Sequence, residues 1–233
     1  MAYDVVVFGA HPDDAEMAMG GTIAKLTRAG KSLLLVSLTR GEAGSHGTQE
    51  EREREAADAA AVLGCEHRLL DFPDSRLESN LEGRERLLRL LRELRPALVF
   101  APHYTNRGGH HDGAAHVDHL VTGNLVREAV KLARVRGVER ALPAHDVQRL
   151  YYYMVPRDMV PSLLVDVTAE FDTLVRAIQA YRTQMAIDRR GTPILEILAA
   201  YRRYLGIAAG CTYAESFLCE EPLRADAELL FRL

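Results

Sequence analysis

The chain has 233 residues, 48% of them hydrophobic, and a formal net charge of −4, enough apolar material for one large core and a single domain over residues 1–233. It carries no Lys/Arg block or basic tail, which excludes the electrostatic footprint of a nucleic-acid binder, and no apolar run approaches the roughly 18 residues of a membrane span. The three cysteines, Cys65, Cys211 and Cys219, lack CxxC spacing, so neither a disulfide framework nor a thiolate zinc site is expected. A reducing cytoplasm fits best, since the N-terminus also lacks a charged segment followed by a long apolar one.

Taken in chain order, short aliphatic runs alternate with longer helical patterns. Val5 to Phe8 reads as a buried strand, Ile23 to Ala29 as helix and Leu33 to Leu38 as a second strand. Thr48 to Leu63 follows as a helix with charged residues in its first turns, and Gly64 ends it. Leu87, Leu88, Leu90, Leu91 and Leu94 share one face before Pro96, and Leu98 to Phe100 is the third strand. Another helix follows His119 through Ala133. After Pro143 come strands over Leu150 to Met154 and Leu163 to Val167, then helices over Ala169 to Met185 and Ile194 to Tyr204. This alternation predicts an α/β fold, a Rossmann-like three-layer α/β/α arrangement around a mostly parallel sheet.

Chemistry concentrates at two places. Ala10-His11-Pro12-Asp13-Asp14 stands where the first strand runs out, and His116-Val117-Asp118-His119 follows the third. In open α/β sheets, ligands collect beyond the carboxyl ends of the strands, so the two groups are expected to meet. His11 and Asp14, three apart in a tight turn, can reach one ion together with His119. Two imidazoles and a carboxylate can hold Zn²⁺ and leave a position for water, with Fe²⁺ or Co²⁺ as alternatives. Asp13 then serves as the base that takes a proton from water attacking a carbonyl. His116, on the same side of a helical turn as His119, can stabilise the oxyanion or protonate the leaving nitrogen, with Asp118 orienting its ring. The glycine-rich loop Thr39 to Thr48 is expected to form one wall of the pocket.

A lone Asp-Asp in a turn is ordinarily a solvated cap. Here His103, His110, His111, His116 and His119 fall within seventeen residues, a density that favours metal binding over scattered surface histidines. The charged run Glu50 to Glu55 reads as an exposed helix face, and Tyr151 to Tyr153 as sheet and core. G-x-S-x-G, H-E-x-x-H, a Walker A run and G-x-G-x-x-G after the first strand are all missing, which disfavours a serine hydrolase.

With Gly20-Gly21, the first motif resembles that of the LmbE-like, or PIG-L-like, zinc-dependent N-acetylglucosamine deacetylases, and His116 to His119 resembles their H-P-D-H motif. The resemblance implies metal binding by His11, Asp14 and His119, general-base duty for Asp13, and oxyanion or acid assistance from His116 paired with Asp118. It further implies that Arg52 contacts the polar or anionic part of the substrate and that Tyr213 lies near the sugar pocket. Similarity continues through Thr39 to Ser45, Phe72-Pro73-Asp74, Tyr151 to Met154, Ala180 to Gln184 and Tyr213-Ala214-Glu215, and looks like the bacillithiol-biosynthesis branch. That branch deacetylates N-acetylglucosaminyl L-malate and forms homo-oligomers, often hexamers. A small-molecule sugar conjugate is therefore the expected partner, with no nucleic acid and no membrane.

The chain departs from the family at Val117, where proline is usual, and at an apparent insertion, Gly108 to Gly113, which raises an alternative ligand set using His110 or His111. Continuation of the helix after His119 favours His119. A thiol-conjugate amidase and a non-catalytic sugar- or nucleotide-binding module are the other functions compatible with these residues.

Overall fold

A computed structural model describes residues 2–105, 116–156, 158–189, 191–222, 226 and 228. Strand β1 (Val5–Gly9) is buried along its whole length and sits at the centre of the sheet. Beside it lie β2 (Leu33–Ser37) and then β3 (Glu66–Leu69) on one side, and β4 (Leu98–Pro102) and β5 (Arg149–Tyr153) on the other. All four pairings are parallel.

The period-2 alternation of strand side chains splits the core into two faces. Val6, Phe8, Leu34, Val36 and Val99 pack against α3 (Leu81–Leu94) and α4 (Val117–Ala133). Val5, Val7, Leu33, Leu35 and Phe100 pack against α1 (Asp14–Arg28), α2 (Gln49–Leu63) and α5 (Phe171–Ala180). The three-layer α/β/α arrangement expected from the alternation is the one observed. Among the described residues no helix is long and apolar enough to cross a membrane.

Several features differ from the sequence expectations. The strand Glu66–Leu69 has no apolar run to announce it, so the second motif follows the fourth strand rather than the third. Helix α1 begins at Asp14 instead of Ile23, because a non-helical Met19 (φ −141°, ψ 22°) divides it and disrupts its apolar period. The segment expected as one helix over Ala169 to Met185 is α5 followed by a turn, where Tyr181 leaves helical angles and sends its hydroxyl to Glu16. The strand β6 (Leu163–Asp166) does not join the main sheet; it pairs antiparallel with β9 (Ala214–Phe217), against which α6 (Ile194–Ala209) packs. Between them lies a two-residue hairpin of β7 (Asp188–Arg189) and β8 (Thr192–Pro193).

The chain steps from β1 outward to β3 and then returns to β4 on the other side of β1. The strand order thus reverses between β1 and β4, the point at the carboxyl edge of the sheet where such folds hold ligands.

Candidate metal centre and active site

The turn after β1 carries His11, Asp13 and Asp14. Asp14 opens α1, and its Oδ2 accepts the backbone N–H of Ala10 (2.9 Å) and of His11 (2.8 Å), so the carboxylate is locked by its own loop. Asp14 Oδ1 faces His119 Nε2 at 3.0 Å, and His11 Nδ1 lies 3.5 Å from Asp14 Oδ2. One ligating atom from each of His11, Asp14 and His119 falls within 4.8 Å of the others. Ligands about 2.0 to 2.1 Å from a shared tetrahedral ion sit about 3.4 Å apart, a spacing this group can reach by small rotations. His119 is held on the first turn of α4, whose start at His116 is capped by its own side chain: the Asp118 backbone N–H donates to His116 Nδ1 (3.3 Å).

His11, His116 and Asp118 form a second group of the same compactness. His116 is half-exposed, and Asp118 Oδ2 already accepts the Ser75 N–H (2.8 Å) and lies 3.3 Å from His11 Nε2. The sequence pairs Asp118 with His116. The structure places these two 3.9 Å apart and gives Asp118 the nearer partners His11 and Ser75. A carboxylate behind a metal-binding imidazole is the usual outer support of such a ligand, and His11 has two, because Asp74 Oδ1 lies 3.1 Å from its Nε2.

Asp74 is the site residue that residue-level reasoning misses. It follows the unannounced strand β3, and only the family similarity of Phe72-Pro73-Asp74 marks it in the sequence. Its Oδ2 accepts the Ala43 N–H (2.9 Å), which ties the loop after β2 to the imidazole.

Electrostatics identify what the cluster lacks. Burial pushes the Asp13 carboxyl up to about 7, with Asp14 and Glu16 adding to the rise and Arg52 and His11 opposing it. Burial also disfavours charge on His11, yet Asp14, Asp118 and Asp74 outweigh it and raise the imidazole to about 12. Burial works against ionised Asp74 as well, but hydrogen bonds from His11 and Ala43 bring it down to about 2. Four carboxylates, Asp13, Asp14, Asp74 and Asp118, thus crowd the imidazoles and one buried guanidinium, and among the described residues Asp118 Oδ1 is buried without a hydrogen-bond partner. Buried charge of one sign needs a counter-charge. A divalent cation fits both this excess and the donor set.

The remaining expected site residues fall differently. Arg52 is 5% exposed and lies beneath the turn, donating to Pro12 O (2.6 Å) and Gly41 O (3.2 Å), with Nη2 3.4 Å from Asp13 Oδ2. Tyr213 is stacked on Phe171 with ring centroids 3.6 Å apart, and none of its described contacts reaches the His/Asp group. His110 and His111 of the alternative ligand set lie outside the described residues.

Comparison with known proteins accords with this geometry. The PIG-L family, described as GlcNAc-PI de-N-acetylase, matches residues 6–130, a span that holds both motifs. Diacetylchitobiose deacetylase of Thermococcus kodakarensis is 29% identical over 228 residues, covering 91% of this chain and 80% of that protein. The conserved protein TT1542 of Thermus thermophilus superposes with a TM-score of 0.85 at 38% identity, over 97% of this chain and 98% of that one. N,N'-diacetylchitobiose deacetylase of Pyrococcus horikoshii, solved with its inhibitor MPG, gives a TM-score of 0.82 at 26% identity, over 98% of this chain and 89% of that one. With the matched region spanning more than half of its length, the chain belongs to the PIG-L family of N-acetylglucosamine deacetylases.

Proposed function

We propose that this protein is a Zn²⁺-dependent N-deacetylase that removes acetate from N-acetylglucosaminyl L-malate and releases the free amine. N-deacetylation of an N-acetylglucosamine-type substrate follows from family membership. The malate aglycone rests on the motif similarity that runs through Thr39 to Ser45, Tyr151 to Met154 and Tyr213 to Glu215. The observation that carries the reading is the convergence of His11, Asp14 and His119 beside a buried Asp13.

His11, Asp14 and His119 would hold the ion, and two imidazoles with one carboxylate suit zinc. When bound, the ion would supply Lewis-acid charge to the acetyl carbonyl and would lower the pKa of water toward neutral. Asp13, buried beside the ligands with its carboxyl pushed up by burial, is placed to take the proton from that water and return it. Because His116 Nδ1 accepts the Asp118 N–H, the neutral ring carries its proton on Nε2. That N–H is a donor for the carbonyl oxygen or the departing nitrogen. Asp118 and Asp74 keep the His11 ring in place.

Acetate release from N-acetylglucosaminyl L-malate by zinc-loaded protein tests the proposal. Asp13→Ala is expected to lose about 10²- to 10⁴-fold in kcat while keeping its metal; equal rates would remove Asp13 as the base. A second reading, N,N'-diacetylchitobiose as substrate, is favoured by the names of two relatives. Faster turnover of that disaccharide than of the malate conjugate would replace the first reading with the second.

A further inference from the structure

We propose that Ser75 is a positioning residue whose main-chain N–H, aimed by a left-handed backbone, holds Asp118 against His11 and thereby raises the affinity of the metal centre. The inference rests on the reading of His11, Asp14 and His119 as metal ligands and not on the identity of the substrate. Among the described residues, four that are not glycine lie at positive φ, and two of them, Asp13 (φ 108°) and Ser75 (φ 61°), border the metal centre. Strained backbone of this kind persists where the surroundings over-determine it, and it gathers at functional sites. Ser75 is exposed, so packing of its side chain does not account for its conformation.

The turn it belongs to does. The Arg76 N–H donates to Pro73 O at 3.3 Å, which closes a turn with Asp74 and Ser75 at its centre. Of these two only Ser75 has positive φ, the pattern of a type II turn, which ordinarily puts glycine at that place. Compared with type I, a type II turn flips the peptide between its two central residues, so the N–H of the second points to the opposite face. Here that N–H meets Asp118 Oδ2 at 2.8 Å, and the same oxygen lies 3.3 Å from His11 Nε2. The preceding residue is fixed separately: the Asp74 N–H donates to Glu42 Oε1 at 2.8 Å, and Asp74 Oδ2 accepts the Ala43 N–H. Asp74 Oδ1 stands 3.1 Å from His11 Nε2. A single turn thus brings two carboxylates to the same ring nitrogen, one through its own side chain and one through an amide that reaches over to α4. The Ser75 hydroxyl, 3.3 Å from Asp74 Oδ1, is a separate and weaker contact.

The test is zinc affinity, read by competition with a chelator, in Ser75→Pro, Ser75→Val and Ser75→Gly. Proline lacks the N–H and cannot reach positive φ; it is expected to hold zinc about tenfold more weakly, the effect of losing an outer support of a metal ligand. Valine keeps the N–H but resists the left-handed region, so a severalfold loss and a lower unfolding midpoint are expected. Glycine keeps the N–H and accepts the conformation, and should rescue zinc affinity to that of the unaltered chain with an unfolding midpoint no lower. In an Asp118→Ala background, the proline or valine substitution should add less than about twofold, because coupled groups are not additive. If the proline variant does not fold, the contrast between valine and glycine carries the test. A folded proline variant, or failing that a valine variant, with the zinc affinity of the glycine one would overturn the proposal. A glycine variant as weak as proline would assign the effect to the hydroxyl and overturn it too, as would full additivity with Asp118→Ala. An unaltered chain that binds no zinc would sink the metal centre itself, whereas zinc binding indifferent to these substitutions would sink this inference alone.

Discussion

Two buried polar clusters flank α1, and they differ in whether the protein completes them. Glu215 and Arg202, both about 2% exposed, face each other with Nε to Oε1 at 2.9 Å. Glu215 also accepts the N–H groups of Gly21 (3.1 Å) and Thr22 (2.7 Å) and the Thr22 hydroxyl (2.7 Å), while Arg202 donates to Met17 O (2.6 Å) and Leu198 O (3.2 Å). The pair splints the helix at its break: the arginine satisfies a carbonyl before Met19 and the carboxylate satisfies the N–H groups after it. Charge and hydrogen bonds both balance. At the N-terminus of the same helix, four carboxylates crowd His11 and His119 while the Arg52 guanidinium reaches Asp13, and Asp118 Oδ1 finds no hydrogen-bond partner among the described residues. Both clusters are buried, and charge balance distinguishes them: the Glu215–Arg202 pair is neutral and splints the fold, whereas the carboxylates around His11 outnumber their cations.

The largest effect expected to sharpen this contrast is at the His11 cluster. His119→Ala should lose stoichiometric zinc, read by elemental analysis, and with it several kcal/mol of transition-state stabilisation, about 10³-fold or more in turnover. Its unfolding midpoint without metal should stay close to that of the unaltered apoprotein. The converse holds at the Glu215–Arg202 pair. Glu215→Ala should cost about 3 kcal/mol or more in urea unfolding, because it strands a buried guanidinium, and protein that remains folded should still bind zinc. A Glu215→Ala chain as stable as the original would break the comparison.

A smaller effect comes from His67, half-buried on the edge strand and hydrogen-bonded through Nε2 to Ser37 Oγ at 2.9 Å. Burial lowers its pKa from 6.5 to about 4, so the folded state keeps it neutral. The unfolded chain binds the proton first, so this contribution is fully present above pH 6.5 and is lost as pH falls toward 4. Between pH 6.5 and 4.5 the loss should be about 1 to 2 kcal/mol. His67→Gln should flatten that part of the stability profile, and an unchanged slope would show that the ring is not held neutral.

Much of the sheet is legible in the sequence because β1, β2 and β4 are continuous apolar runs, as strands buried on both faces must be. The edge strand Glu66–Leu69 has alternating exposed and half-buried residues over only four positions, and its pairing with β2 comes from the sheet rather than from its own pattern. Asp74 is invisible for the same reason, since a loop residue gains meaning only from the strand that precedes it. The N-terminal half of α1 is hidden by Gly20-Gly21, poor helix formers whose segment is held by Glu215 from nearly two hundred residues away. By contrast, His11, Asp14 and His119 are readable because their spacing is local within each motif and the parallel topology alone brings the motifs together.

Locking Asp14 to its own loop has a consequence for the choice of ion. With Oδ2 engaged by the amides of Ala10 and His11, this side chain can present a single oxygen, and bidentate coordination is closed to it. Calcium, which takes six to eight oxygen donors, and magnesium, which demands an octahedron of them, would find one oxygen and two imidazole nitrogens in the His11, Asp14 and His119 set. A nitrogen-tolerant ion content with four neighbours would suit such a set better, and the two backbone amides, without touching the ion, would bias that choice.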